Sequence, residues 1–375
     1  EKMIIYILIY LIGVILASIN IIFKGKGKKI YLSYYITFLL VGLLVGLRDS
    51  FGFDDSMYID IFRKVSSNFG YYRQIEYSYV IFSKIISNLG LNYQAVYLLY
   101  SLSAYYCFYK GLTIIVQDNK QRVLFLCYFY VFLFLDSFVI MRQFLAVSLI
   151  FISYANYIID KKKKSILFYI FAVLIHNSAI ITIVPILFYN VFKKKNIHKL
   201  LLLLLTMYIF QYIPYERLLN EITKKFLGYR NNYFIRTFIL NHDQWYPEPL
   251  GITSSILLVL FMISFYLYRK NKSRVIKYSY SEFLFLLGYS YFFLYMILSR
   301  VGRINRISWY FIPFALTCCS QFINYIKIRE RKIVRFGLII SISLLFIITM
   351  YRYTSTKYTS YIFRQYSYNL NIFKD

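Results

Sequence analysis

The chain has 375 residues, is 59% hydrophobic and 22% aromatic, and has a mean hydropathy of +0.55; soluble domains average about 45–50% apolar residues. Apolar runs of spanning length recur from end to end without barrel-type alternation, which excludes a soluble globule and points to an all-α polytopic membrane protein. The formal charge of +28 sits in short basic clusters between those runs, a pattern that sets membrane topology and gives no reason to expect a nucleic-acid partner.

The first expected helix covers about Met3–Phe23 and, with no small-residue cleavage pattern after it, reads as retained and not as a signal peptide. Lys24–Lys29 separates it from a second helix at about Ile30–Leu47, after which a polar segment runs over about 48–92. Within that segment Met57, Ile61, Phe62, Val65 and Phe69 recur at helical spacing before Gly70. Tyr79, Phe82, Ile86 and Leu89 do the same before Gly90. Both read as amphipathic helices lying on an interface. Helix three is expected at about Tyr93–Val116, helix four up to about Ile140, and helix five from Met141-Arg-Gln143 to Ile159.

The lysine runs Lys161–Lys164 and Lys193–Lys195 then enclose fewer than thirty residues. One crossing would put the two runs on opposite faces. Two short crossings with His176 at the tip keep them on one face, and shortened helices are tolerated where they line a cavity in the protein. Helix eight (about Lys199–Pro214) leads into a second polar segment, about 215–250, with a candidate helix at Arg217–Leu227. Helices nine to twelve follow at about Gly251–Tyr268, Glu282–Leu298, Ile307–Ile326 and up to Tyr351, with a polar tail over about 352–375. The expectation is a single integral membrane domain over 1–375 with about twelve crossings. The segments assigned to the cytoplasm carry 24 Lys and Arg against 5 in the short segments of the other face. By the positive-inside rule both long polar segments, the tail and both termini face outward.

The outer helix ends hold the chemistry. Arg48 closes helix two and is followed by Asp54, Asp55 and Tyr58; Glu76 opens the second amphipathic helix. Arg142 and Gln143 join helices four and five, His176 tips the short hairpin, and Arg300, Arg303 and Arg306 join helices ten and eleven. Ionisable groups at membrane depth are costly and usually functional. Guanidinium forks suit bidentate phosphate contact, and a carboxylate or imidazole can take a proton from a hydroxyl. Against this, Asp54 and Asp55 can cap a helix, Arg142 can snorkel, and Asp136 can serve as a buried partner for Arg142. His198 reads as solvated beside the lysines, and His242-Asp243 as loop polarity. Cys107, Cys127, Cys318 and Cys319 fall inside expected spans, so neither a disulfide framework nor a cysteine metal site is expected.

Arg48-Asp-Ser-Phe-Gly-Phe-Asp-Asp-Ser-Met-Tyr58 resembles the R-x3-G-x-D-x3-Y motif of EpsG-type proteins, relatives of the Wzy polysaccharide polymerases. Glu76 matches the family's following Glu. Arg142-Gln-Phe-Leu-Ala146 is similar to its RQ-x-L-A motif, and His176-Asn-Ser-Ala179 to its H-x-S-A motif. The resemblance implies a metal-independent, cofactor-free membrane glycosyltransferase of the plasma membrane with an outward-facing site. It would polymerise undecaprenyl-diphosphate-linked oligosaccharide repeats, and its partners would be that lipid-linked oligosaccharide, the bilayer and a chain-length regulator of the same pathway. On chemical grounds the expected catalytic residues are Glu76, Asp54 and His176. The expected diphosphate ligands are Arg48, Arg142, Arg303 and Arg306, with Tyr58 and Gln143 as further substrate contacts. A lipid-linked oligosaccharide flippase, a membrane acyltransferase and a glycan ligase are the rival readings. A transporter calls for ionisable groups near the midplane on broken helices.

Overall fold

A computed structural model describes residues 2–22, 29–49, 54–67, 75–213, 215, 250–271, 281–299, 302–326, 329–355 and 367–368. The described residues are all-α except for one two-residue strand pair. Each of the twelve apolar segments expected from sequence contains an α-helix, and each of the first two amphipathic segments contains another. The candidate helix Arg217–Leu227, the stop residue Gly70 and the pair His242-Asp243 lie outside the described residues.

The chain divides into two compact units, residues 1–180 with 328–375, and residues 181–327. In the first unit the helices are α1 (Lys2–Ile22), α2 (Lys29–Gly46), α3 (Asp55–Ser67), α4 (Tyr77–Asn88), α5 (Tyr93–Ile115), α6 (Asn119–Phe129), α7 (Met141–Ile158), α8 (Lys162–Ile175) and the late helix Arg331–Ser355. Helix α5 lies at the centre, packed on α2 and α7, and α7 in turn packs on α8. The interior is aromatic: Phe108 meets Phe129, Phe144 and Phe151 at centroid separations of 5.2, 5.2 and 5.8 Å. Gly111 makes the close approach of α5 to α7 achievable, since a Cβ there would lie 2.6 Å from the Phe151 ring.

Helix α6 does not run straight into α7. It passes into a π-helical turn at Tyr130–Phe134 and a 3-10 turn at Asp136–Phe138 before Met141 starts α7. This break places Arg142 in the first turn of a new helix. Helix α8 ends at His176, whose backbone is extended (φ −151°, ψ 110°). A 3-10 segment, Asn177–Ile183, follows. The helix break expected at His176 is therefore present.

In the second unit α9 (Val184–Lys194), α10 (Ile197–Phe210), α11 (Ile252–Lys270), α12 (Ser281–Leu298) and α13 (Ile312–Ser320) occur with 3-10 segments at Gly302–Phe311 and Gln321–Tyr325. Helix α12 is the hub, packed on α13, α10 and α9. Glu282 at its start pairs with Arg269 at 2.6 Å, and Arg269 also donates to the carbonyls of Phe192 and Lys193 at the end of α9. The late helix, now α14 (Arg331–Ser355), belongs to the first unit and packs on α1 and α6. There Tyr10 stacks on Phe346 at 4.6 Å and hydrogen-bonds Ser343 at 2.6 Å.

The helix surfaces are inverted relative to a water-soluble protein. On α1 the residues Ile4, Leu8, Leu11 and Ile15 are exposed while Tyr6, Tyr10 and Ala17 are buried. On α8 Ile166, Leu167, Ile170 and Leu174 are all exposed. Apolar exposed stripes at helical period suit lipid and not water. Among the described residues two helices, Ile252–Lys270 and Arg331–Arg352, are long and apolar enough to cross a membrane. Shorter apolar stretches occupy Tyr6–Ile19, Leu32–Gly46, Ile197–Phe210 and Glu282–Leu298. Among the described residues, length and hydropathy thus single out two crossings.

Candidate functional site

The site of the first unit is built where α3, α4 and α7 begin and α8 ends. Glu76 occupies the N-cap position of α4, with extended backbone (φ −65°, ψ 143°), yet its side chain makes no capping hydrogen bond. A carboxylate there would ordinarily bind its own helix's first amides. Instead one oxygen, Oε2, forms an ion pair with Arg142 Nη1. The other, Oε1, lies 3.8 Å from His176 Nδ1. Glu76 is therefore shared between a cation on α7 and an imidazole at the end of α8.

Each partner is oriented by a second contact. Arg142 Nε donates to the Tyr58 hydroxyl at 3.1 Å, and its guanidinium carbon lies 5.2 Å from the Tyr58 ring centroid. Tyr58 is itself held by α4: its ring meets Tyr79 at 5.2 Å, and its carbonyl accepts from the Tyr79 hydroxyl at 3.0 Å. Burial raises the Tyr58 phenol above its ordinary range against the opposing pull of the Arg142 cation. The phenol is thus neutral at physiological pH and accepts the arginine N–H as a phenol, not a phenolate. His176 Nδ1 shares a 2.9 Å hydrogen bond with Ser178 Oγ.

The group is neither solvated nor sealed. Arg142 and Glu76 side chains are each 12% exposed and His176 is 25% exposed, so a ligand can reach them while their mutual attraction stays little screened. The N-terminus of α7 adds the positive end of its dipole on the side where Arg142 sits. The arrangement can receive an anion at Arg142 and a proton at Glu76.

The remaining expected residues fall elsewhere. Arg48 is fully buried and does not reach this group; its Nη2 lies 3.6 Å from Asp55, its Nη1 donates to the Val45 carbonyl at 2.8 Å, and it stacks over Tyr97 at 4.6 Å. It braces the start of α3, which carries Tyr58. Gln94 secures the same corner by donating to the carbonyls of Gly46 and Arg48. The two strand residues there, β1 (Arg48–Asp49), pair antiparallel with β2 (Ser367–Tyr368) of the tail.

Asp54 is half-buried immediately before α3 and accepts the Tyr58 backbone N–H at 3.0 Å through its carbonyl; among the described residues it joins no ion pair. Gln143 is buried beside Arg142. Arg306 belongs to the second unit and lies over Trp309 at 5.9 Å. Arg300 and the Arg303 side chain lie outside the described residues. The carboxylate partner of Arg142 is Glu76 and not Asp136, which instead anchors the 3-10 turn by accepting from Val139 and Ile140 through its backbone.

Ser178, read only as part of the H-x-S-A motif, and Tyr79, read only as part of the apolar stripe of α4, were given no site role from the sequence. The signal for Ser178 was available, since a hydroxyl two residues beyond a helix-ending histidine is placed to turn back on it. Among the described residues no third His, Cys, Asp or Glu joins Glu76 and His176 in a group that could hold a metal ion.

The model of the EpsG family matches residues 31–363, a span that contains all four motifs. No curated protein and no solved structure matches the chain.

Proposed function

The chain belongs to the EpsG family, the family of Wzy-like polysaccharide polymerases, and from that premise we propose the reaction it performs. It is an integral membrane glycosyltransferase that joins undecaprenyl-diphosphate-linked oligosaccharide repeats on the outer face of the cytoplasmic membrane. The expected twelve-crossing topology, with the Arg142 end of α7 outward, belongs to this proposal.

The observation that carries the chemistry is the shared carboxylate of Glu76. In the resting site Glu76 neutralises Arg142. A donor diphosphate is a stronger and doubly bidentate partner for the guanidinium, so it displaces Glu76 from Arg142. The freed carboxylate stays beside His176 and is now a base with one cation fewer to stabilise its charge. The hydroxyl of the acceptor repeat then attacks the anomeric carbon of the donor. The new glycosidic bond forms as the bond from that carbon to the diphosphate oxygen breaks. The hydroxyl proton passes to Glu76, and the departing polyprenyl diphosphate carries its developing charge against Arg142. Of the three candidate bases, Glu76 has the geometry for this coupling. Its second oxygen lies 3.8 Å from His176 Nδ1, and Asp54 precedes the helix that carries Tyr58.

The test is reconstitution. The purified protein, with synthetic polyprenyl-diphosphate repeats and no other component, yields a ladder of lengthening glycan and releases free polyprenyl diphosphate. Movement of lipid-linked sugar across liposomes with no ladder refutes the polymerase in favour of a flippase.

A further inference from the structure

A groove of about 190 Å³ in the first unit runs away from this site between α4, α5, α7 and α8. Leu145, Leu149 and Ile175 form its buried floor, and Leu99 and Phe171 are its exposed lips. Two of its walls begin within one helical turn of the charged group: Leu145 is one turn from Arg142, and Ile175 adjoins His176. On α7, Arg142, Leu145 and Leu149 stand at i, i+3 and i+7, which places them along one face over about 10 Å of helix. On α8, Phe171 and Ile175 are one turn apart and His176 follows directly. On α4, Glu76 at the N-cap leads to Phe82 on the groove wall. Three helices thus present a polar end at the site and an apolar run beyond it.

That polarity pattern fits one ligand chemistry: an anionic head at Arg142 joined to an unbranched or isoprenoid chain lying along α7. A free sugar phosphate has nothing to place in the groove, and an ordinary acyl lipid has only a single phosphate to offer Arg142. We propose that this groove binds the first isoprene units of a polyprenyl diphosphate and so fixes the diphosphate against Arg142. The assignment rests on the polymerase reading for the identity of the head group. It assigns a binding subsite for the chain and a measuring role to Leu145 and Leu149: chain contacts along α7 set how far the diphosphate can advance.

The experiment uses the full chain in nanodiscs with a sugar-free polyprenyl diphosphate carrying a diazirine in its second isoprene unit. Photolabel is expected on the peptides containing Leu145–Leu149 and Phe171–Ile175 and is removed by excess unlabelled polyprenyl diphosphate. Leu149→Trp fills the groove and is expected to lower labelling roughly tenfold, the equivalent of about two methylenes kept out, while binding of inorganic diphosphate, which has no chain to place there, is unchanged. Retention of that diphosphate binding shows that the variant is folded, and the wild-type label map stands without it. Label spread over the lipid-facing helices, or label that competitor does not remove, overturns the groove. The two readings fail separately. Protected label in the groove without any glycan ladder refutes the polymerase alone, and a ladder with label elsewhere refutes the groove alone.

Discussion

Arg142→Ala removes three things at once: the ion pair with Glu76, the hydrogen bond to Tyr58 at 3.1 Å and the stacking over its ring. If Arg142 faces the departing diphosphate, losing it costs about 10²–10³ in turnover, the scale seen when one preorganised donor to a developing anion is deleted. It also leaves the Glu76 carboxylate, only 12% exposed, without its cation, which costs roughly 1–3 kcal/mol of stability. A loss of activity in the single variant would therefore mix function with folding.

The double variant Arg142→Ala with Glu76→Gln separates them. The orphaned charge is gone, so the thermal midpoint in detergent, followed by size-exclusion fluorescence, recovers most of the single variant's loss. Turnover does not recover, since neither the cation nor the base remains. A purely structural ion pair predicts the opposite, because neutralising both partners of such a pair is often harmless. A double variant that is stable and makes polymer at a third or more of the wild-type rate refutes the argument.

Tyr58→Phe keeps the ring under Arg142 but removes the acceptor of its Nε–H; a charge-assisted bond of about 1.5–3 kcal/mol is lost, and turnover is expected to fall at least tenfold with a smaller change in KM. Because burial keeps the Tyr58 phenol neutral beyond its ordinary range, the alkaline limb of the wild-type pH–rate profile is expected to persist unchanged in this variant. A limb that vanishes would assign the titration to Tyr58 after all. Ser178→Ala loosens the imidazole that flanks Glu76, and a neutral hydrogen bond of about 1 kcal/mol predicts a roughly fivefold loss of turnover at unchanged thermal stability. Gly111→Val drives a branched side chain into the Phe151 ring; overpacking of about 1–3 kcal/mol lowers the thermal midpoint while per-molecule turnover at low temperature holds.

The helices of this chain were legible because apolar runs and basic punctuation specify them without help from tertiary structure. The helical spacing in α3 and α4 was visible as well, and so was the break at His176, since too few residues separate the two lysine runs for two full crossings. What sequence did not carry was which way side chains turn at helix ends. Arg48 and Arg142 look alike on paper, each a guanidinium at the end of an apolar run. Asp55 and Tyr97 draw the first inward, whereas Tyr58 and Glu76 hold the second at the edge of the site. Nor did the stretch from Phe129 to Ile140 announce its π and 3-10 turns, since no proline or glycine marks them. The motif spacing pointed to Glu76, but not to its being the partner of Arg142, because that pairing joins residues sixty-six positions apart.

That pairing also accounts for how such a site can stand without ligand. An arginine aimed at a diphosphate is an uncompensated charge whenever the diphosphate is absent, and at this depth such a charge is expensive. Glu76 supplies the missing anion from inside the protein, and it does so from a position where its own helix would accept it as a cap. The carboxylate therefore has two destinations other than Arg142: the α4 amides and the imidazole of His176. Release by an incoming anion leaves it within reach of both. On the proposed mechanism, donor arrival and base activation become one exchange of partners at Arg142, which links the two lipid-linked substrates through a single side chain.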